Sequence, residues 1–316
     1  MKELLKYVRD FLKQDFYWPI YLWAAIFLGV SVAINYTEHI KTEYVSYYTG
    51  WERALRTMAF YGLAYYAILI PKLFFSKDRR LLLSASMWGR SLLWLAVAGV
   101  VYGTTFFREL ADQFTGFTGR DLSYLSAVYI SWHRVILGLV LIWVLWRVLD
   151  RRQAPFMYGF TTRGFHWRLY AVCMILMLPL IAAASFLPAF LEQYPMMKPW
   201  KHSGALGWSH SQLLAFYEPS YMARFIAIEL IFRGAMIHGV AHKLDRHAVL
   251  PMAAAYCFLH FEKPMGEAIS SIFGGYFLGV LSLRTGSLFG GICVHMGIAL
   301  LMDLAAIAQH VRMGML

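Results

Sequence analysis

The sequence predicts an all-α fold: a polytopic transmembrane helical bundle of about eight or nine spans, with an amphipathic helix at its N-terminus. The composition carries this prediction. Hydrophobic residues make up 59% of the 316 residues, charged residues only 15%, and the mean hydropathy is +0.52. A soluble domain needs more polar surface than this balance provides. Because apolar stretches run along the whole chain, we expect a single membrane domain over residues 1–316.

The net charge of +11 raises the question of a nucleic-acid partner. The basic residues cluster in alternate short loops, with Arg79 and Arg80 in one and Arg151 and Arg152 in another. This alternation is typical of the positive-inside rule for membrane proteins. We therefore expect no nucleic-acid partner, a cytoplasmic N-terminus, and an integral membrane protein in contact with the lipid bilayer. The sequence leaves the oligomeric state open.

The first fifteen residues predict a basic amphipathic helix. Lys2, Lys6, Arg9 and Lys13 share one face at about 100° per residue, and leucines and other apolar side chains occupy the opposite side. Such a helix fits an anionic cytoplasmic membrane surface. A charged lead-in to the first span explains the same residues equally well.

Nine apolar stretches predict the spans, and their approximate limits are residues 17–36, 54–75, 91–107, 131–149, 169–191, 218–241, 248–261, 267–283 and 288–309. Nine crossings place the C-terminus outside. Without the short stretch 248–261, eight crossings would return the C-terminus to the cytoplasm. Prolines at positions 179 and 188 predict kinks in the fifth stretch.

Ionisable residues inside the last spans indicate a functional site. Glu229 and Arg233 lie four residues apart in one apolar stretch, His260 lies near the end of the next, short stretch, and His295 lies in the last stretch. An ionisable group at membrane depth is costly, so such groups usually face the interior of a bundle or a wet cavity. We therefore expect Glu229, His260 and His295 to line one cavity within the membrane.

The same residues resemble motifs of the CPBP family, the CAAX-protease and bacteriocin-processing intramembrane peptidases, also called the Abi family. Glu229, Arg233 and Gly234 fit the end of the family's first motif, which has two glutamates, three residues and an arginine. The pair Tyr256 and His260 fits the second motif, and His295 fits the third. The run 283–288 before the last stretch is typical of bacterial members, so the chain resembles a divergent bacterial-type member. This resemblance implies an integral protein of the bacterial inner (cytoplasmic) membrane.

The resemblance implies a fold, a substrate class and a mechanism. Residues 213–316 would form the catalytic core helices, and residues 1–212 the amphipathic helix and the first five spans. The activity would be intramembrane endopeptidase cleavage of a membrane-associated protein or peptide. Glu229 with His260 would activate water without a cofactor, His295 would help bind the oxyanion, and Arg233 would orient Glu229.

Two departures from the family motifs open an alternative. Ile228 occupies the slot of the first glutamate, and Ala299 occupies the slot of an asparagine four residues after His295. The alternative is a catalytically degenerate protein that acts as a membrane binding partner or scaffold. Glu267 is a possible substitute for the missing first glutamate. Glu262 and Asp303 are further acids that could support the site.

Two further interpretations concern the site itself. Glu229 and Arg233 also fit a buried ion pair that holds helices together without catalysis. Zinc is an alternative cofactor, with Glu229, His260 and His295 as ligands, because two histidines and a carboxylate leave one position for water. The spacing lacks the HExxH pattern that places both histidines on one helical turn, so we favour acid–base catalysis without a metal.

Overall fold

The computed structural model describes residues 2–111, 113, 116–152, 154 and 156–314, without the side chains of residues 2–4, 108 and 109. Over these residues the chain is helical and contains no β-strand. The α-helices are α1 Lys2–Asp15, α2 Trp18–Glu38, α3 Gly50–Phe74, α4 Ala85–Gly103, α5 Phe107–Ala111, α6 Gly119–Leu145, α7 Trp167–Ala184, α8 Pro188–Gln193, α9 His210–Glu229, α10 Ala241–Leu244, α11 Val249–Leu259, α12 Met265–Thr285 and α13 Phe289–Arg312. The all-α prediction is confirmed.

Short helices of other types connect these elements. The 3₁₀-helices are Arg79–Leu83, Pro199–His202, Ala205–Gly207 and Asp245–Ala248. The π-helices are Thr42–Ser46, Trp146–Asp150 and Leu230–His238. The last of these is nine residues long and directly follows Glu229. At its end, the N–H of Gly239 donates a hydrogen bond of 2.8 Å to the carbonyl of Gly234. π-helical turns are rare and often occur at functional sites.

Seven helical runs in the described residues are long and apolar enough to cross a membrane. One of them, His210–Leu259, includes both the sixth and the seventh predicted stretches. The chain turns within this run at Asp245, where φ is +43° and α10 ends. Helix α4 covers the third predicted stretch but is not among the seven. The bundle is polytopic as predicted, and the difference in count comes from these two places.

Some helix limits differ from the prediction for identifiable reasons. Helices α6 and α9 begin well before residues 131 and 218, because polar residues are mixed with the apolar ones in their N-terminal parts. The fifth predicted stretch ends as α7 at Ala184, and Pro188 begins the separate helix α8. Proline fits the first turn of a helix, where its missing N–H costs no hydrogen bond.

The chain divides into two compact units. Unit 1 contains Met1–Thr104, Gly138–Phe165 and Ile228–Gly290, and unit 2 contains Thr105–Leu137, His166–Ala227 and Gly291–Leu316. Each unit is discontinuous in sequence, because α6, α9 and α13 contribute to both. The single membrane domain and its division after residue 212 stay predictions.

Helix α1 confirms the predicted N-terminal helix and packs within unit 1 through one face. Phe11 is fully buried, and the Asp15 carboxylate lies 2.5 Å from Nζ of Lys72. The side chains of Lys6, Arg9 and Lys13 are exposed, whereas the side chain of Lys2 lies outside the described part. The contact of this basic face with an anionic membrane stays a prediction.

Candidate active site

The site in unit 1 begins with Glu229 and Arg233 at the junction of α9 and the π-helix. Both side chains are 0% exposed, and Nη1 of Arg233 lies 3.1 Å from Oε1 of Glu229. A charge in an apolar interior needs an opposite charge, because desolvation of a single ion costs several kcal/mol. The predicted pairing of these two residues on one helix is therefore present.

Tyr256 on α11 extends the site from the ion pair towards His260. The guanidinium carbon of Arg233 lies 4.2 Å from the centre of the Tyr256 ring, a cation–π distance. On its other side, the Tyr256 ring meets the His260 ring with centroids 4.5 Å apart and planes at 62°. Glu229, Arg233, Tyr256 and His260 thus form one continuous row of contacts.

His260 lies just after the last residue of α11 and is half-buried. Its Nδ1 lies 2.9 Å from the backbone carbonyl oxygen of Tyr256. Because a carbonyl only accepts, Nδ1 must carry the hydrogen and donate it. In the neutral ring, Nε2 is then the acceptor nitrogen. The backbone of α11 thereby selects the tautomer that suits a general base.

Close packing by glycines of α12 fixes the position of Tyr256. A Cβ added at Gly275 would lie 2.8 Å from Cδ1 of the Tyr256 ring, and one added at Gly279 would lie 2.7 Å from Cε of Met252. Only glycine leaves room for this approach. Gly274, the preceding residue, has no neighbouring atom within 4 Å of such a Cβ.

The two acids near His260 have different surroundings. Glu262 lies in the turn after α11, where its carboxylate is 3.4 Å from Nζ of Lys41 and accepts a hydrogen bond from Ser46. Burial alone would raise the pKa of Glu262, but the charge of Lys41 and the hydrogen bond from Ser46 hold it below its usual range. Glu267 lies in the first turn of α12 and is half-buried.

His295 and Asp303 belong to unit 2. The His295 ring stacks on Phe225, with centroids 5.8 Å apart and planes at 20°. Asp303 is 1% exposed, and its Oδ1 accepts a hydrogen bond of 3.0 Å from the backbone N–H of Met196. The structure therefore brings Glu229, Arg233 and His260 together in unit 1. A cavity shared by Glu229, His260 and His295 stays a prediction.

The positions that depart from the family motifs are filled by apolar side chains. Ala299 is 5% exposed and belongs to a core cluster of unit 2 that also contains Tyr124, Tyr217 and Tyr221. Ile228 is half-buried at the start of the Ile228–Gly290 segment of unit 1. Among the described residues, no three His, Cys, Asp or Glu side chains form a group that could hold a metal ion.

Three residues that no sequence pattern indicates, Asn35, Tyr36 and Lys41, also belong to this region. Their side chains donate hydrogen bonds to backbone carbonyls at and after the end of α11. Every residue has a carbonyl, so the identity of the acceptors left no signal in the sequence.

The fold and the composition define an α-helical integral membrane protein. Within it, residues 211–301 match the family described as Rce1-like, type II CAAX prenyl endopeptidase. This match confirms the predicted resemblance to the CAAX-protease family. The matched segment covers less than half of the chain and includes Glu229, His260 and His295. No curated protein and no solved structure matches the chain. The bacterial-type divergence stays a prediction.

Proposed function

We propose that the protein is an intramembrane endopeptidase that cleaves a membrane-associated protein or peptide with water activated by Glu229 and His260. The row of contacts from Glu229 through Arg233 and Tyr256 to His260 is the observation that supports this function best. It lies within the segment that matches the family of CAAX endopeptidases. A general base contributes about 10²- to 10⁴-fold to such a reaction.

The reaction assigns a role to each group. The oxygen of water attacks the peptide carbonyl carbon while its proton passes to the Glu229–His260 pair. When the C–N bond breaks, that proton is delivered to the leaving amine. Arg233 balances the charge of Glu229 and orients it, and Tyr256 holds His260 through ring packing and its carbonyl. His295 is proposed as a donor to the oxyanion.

Cleavage assays with the full chain in liposomes test this mechanism. Two fluorogenic peptides with identical sequences, one prenylated near its C-terminus and one not, serve as probes. We expect Glu229→Gln and His260→Gln each to lower kcat/KM by about 100-fold or more. The control is Glu52→Gln, because Glu52 is exposed on α3 and forms its ion pair with Arg56, one turn further along the same helix. Full activity in both site variants would remove the mechanism.

The two peptides also address the substrate class. The family description names prenylated CAAX substrates, whereas nothing in this sequence requires a prenyl group. Equal kcat/KM for both peptides would favour recognition of the peptide itself. A preference of about 10-fold or more for the prenylated peptide would correspond to burial of its apolar chain on binding.

The proposed mechanism uses no metal. A water held by a carboxylate and an imidazole needs only hydrogen-bond distances, whereas zinc needs three ligands at about 2.0–2.2 Å. Dialysis of the purified protein against a strong chelator is expected to leave the activity unchanged. Activity that disappears and returns only with added zinc would support the zinc alternative with Glu229, His260 and His295.

A non-catalytic function as a membrane binding partner is the second candidate. The observation that favours it is the apolar filling of both departing positions, Ile228 and Ala299. It predicts that the wild-type protein binds the probe peptides without cleaving them. The double variant Ile228→Glu with Ala299→Asn would then gain cleavage. Cleavage by the wild-type protein at a rate abolished by Glu229→Gln would contradict this candidate.

We also propose that the N-terminus faces the cytoplasm of a bacterial inner membrane. The alternation of basic loops supports this orientation. Single-cysteine variants of a cysteine-free protein, labelled from one side of intact cells, test it. Labelling of position 79 by a membrane-impermeant reagent from the outside would reverse the orientation.

A further inference from the structure

The turn between α11 and α12 contains His260, and its backbone carbonyl groups need hydrogen-bond donors. Within the turn, the N–H of His260 bonds to the carbonyl of Cys257 at 2.9 Å, and the N–H of Lys263 bonds to the carbonyl of His260 at 2.9 Å. The carbonyls of Leu259, Phe261 and Lys263 instead accept from side chains. Non-helical backbone near membrane depth is tolerated only when such groups are satisfied.

All three donors come from one short segment of unit 1, from the end of α2 to Lys41. Nζ of Lys41 donates to the carbonyl of Leu259 at 2.6 Å, and Nδ2 of Asn35 donates to the carbonyl of Phe261 at 2.9 Å. These two acceptors directly precede and follow His260 in the chain. The hydroxyl of Tyr36 donates to the carbonyl of Lys263. The backbone on both sides of His260 is therefore held by this segment.

The three donors are themselves fixed by a connected network. The backbone N–H of Lys41 donates to Oδ1 of Asn35 at 3.0 Å, which orients the Asn35 amide with Nδ2 towards Phe261. The Lys41 side chain is 7% exposed, and its ammonium lies 3.4 Å from the carboxylate of Glu262 in the same turn. Ser46 donates to Glu262 from the π-helix Thr42–Ser46. A buried ammonium with these partners is a rigid anchor.

We infer that Asn35, Tyr36 and Lys41 are positioning residues that hold the His260 turn, and with it the orientation of the imidazole. This role in catalysis rests on the proposed function of His260. The physical reason is that His260 follows the last residue of α11, with φ −89° and ψ 3°, so its direction depends on the turn rather than on the helix. The N-terminal part of the chain thus contributes to the site although the family match begins at residue 211.

Three substitutions remove the donors in different ways. Tyr36→Phe removes one hydroxyl and preserves the ring. Asn35→Asp preserves the acceptor for the Lys41 N–H and loses the donor to Phe261. Lys41→Met removes the ammonium and preserves the length of the side chain. Tyr36→Phe disturbs folding least and keeps the inference testable if Lys41→Met does not fold.

Two matched controls lie in the same unit. Tyr66→Phe removes a hydroxyl that bonds to Oγ of Ser91 at 2.8 Å, and Lys72→Met removes an equally buried ammonium that pairs with Asp15. The partners of Tyr66 and Lys72, which are Ser91 and Asp15, lie outside the His260 turn. Loss of stability alone should affect a control as much as its matched variant.

The first measurement is independent of activity. In protein labelled with ¹⁵N in the histidine rings, the His260 signals are identified by their loss in His260→Gln. We expect the wild-type spectrum to show hydrogen on Nδ1. Tyr36→Phe and Lys41→Met should change the His260 signals and their titration midpoint, and both controls should leave them unchanged. Unchanged signals in both variants, or equal changes in the controls, would overturn the inference.

The second measurement is the division between kcat and KM on the probe peptides. Misplacement of a catalytic group by about 1 Å costs about 100-fold, so we expect Lys41→Met to lower kcat by about 100-fold. Tyr36→Phe should lower kcat by about 10-fold, and KM should change less than about two-fold in both. A change confined to KM would overturn the inference. If the wild-type protein cleaves no probe, the proposed function fails, whereas the ¹⁵N measurement still decides whether these residues orient His260.

Discussion

Unit 1 contains two buried ion pairs whose surroundings differ. Lys72 and Asp15 lie 2.5 Å apart with 4% and 0% side-chain exposure, and Arg233 and Glu229 lie 3.1 Å apart with 0% exposure. The first pair joins α1 to α3, and the Tyr21 hydroxyl also donates to Asp15 at 2.7 Å. The second pair lies within one continuous helical run and continues through Tyr256 to His260.

The difference shows that burial of an ion pair does not by itself identify a site. Both pairs satisfy the same electrostatic requirement, because a buried charge needs a partner. What distinguishes the Glu229–Arg233 pair is the half-buried imidazole at the end of its row of contacts. The Lys72–Asp15 pair connects two helices, and the further partner of Asp15 is the Tyr21 hydroxyl group. We therefore propose a structural role for the first pair and a functional role for the second.

Removal of each cation should give the largest effects and separate the two roles. Lys72→Met and Arg233→Met each leave a buried carboxylate without its cation, which is expected to lower the free energy of unfolding by about 3–5 kcal/mol. Only Arg233→Met should also lower kcat, by about 100-fold, at a temperature where both variants are folded. Unfolding in mixed micelles and the probe assay measure the two quantities. Equal losses of kcat would contradict the comparison.

Replacement of both partners should sharpen the same comparison. Each double variant removes both charges of one pair. The first combines Asp15→Leu with Lys72→Met, and the second combines Glu229→Leu with Arg233→Met. Each should be at least about 3–5 kcal/mol more stable than the corresponding single cation variant, because replacement of a whole buried pair by apolar residues is often neutral. The first double variant should keep the wild-type kcat, whereas the second should show no cleavage. Cleavage by the second would show that its pair is structural only.

Substitution of a glycine tests whether the row of contacts matters beyond the ion pair. Gly275→Ala places a methyl group against the Tyr256 ring, which lies between Arg233 and His260. Overpacking of this kind costs about 1–3 kcal/mol, and the displaced ring should lower kcat by about 10-fold. Gly274→Ala is the matched control, because its Cβ meets no atom within 4 Å. A similar kcat in both variants would show that the exact ring position is unimportant.

The smallest expected effect concerns the pH dependence of the Lys41–Glu262 contact. The pKa of Glu262 lies below its usual range in the folded protein. Burial raises this pKa, but the charge of Lys41 and the hydrogen bond from Ser46 lower it by more. Its contribution to stability is therefore present above the ordinary glutamate value of about 4.3 and is lost as the pH falls through the folded value. We expect the Tm of the wild type to exceed that of Glu262→Gln at pH 7 and the difference to disappear in acid.

Because Glu262 is partly exposed, this stability difference should stay below about 1 kcal/mol. Glu43→Gln, at an exposed position of the π-helix Thr42–Ser46, is the control. A difference between the wild type and Glu262→Gln that grows as the pH falls would have the wrong sign and would contradict the assignment of the contact.

Part of the candidate site was predictable from the sequence. The four-residue spacing of Glu229 and Arg233 predicted their contact, and the order of Tyr256, His260 and His295 along the chain predicted the family that residues 211–301 match. The π-helix Leu230–His238 was not predicted, because α- and π-helical runs share the same apolar composition. The separation of His295 and Asp303 into unit 2 was not predicted either, since α13 reads as one apolar helix.

The sequence by itself determined that this is a helical membrane protein with ionisable residues in its last spans, because hydropathy and helical spacing are local properties of the chain. The tertiary structure decided how His260 is held. Tyr256 selects its tautomer through a carbonyl, while Asn35 and Lys41 hold the adjacent backbone from more than two hundred residues away. The acceptors in all three contacts are carbonyls, which every residue has, so only the folded chain determines which of them a donor reaches.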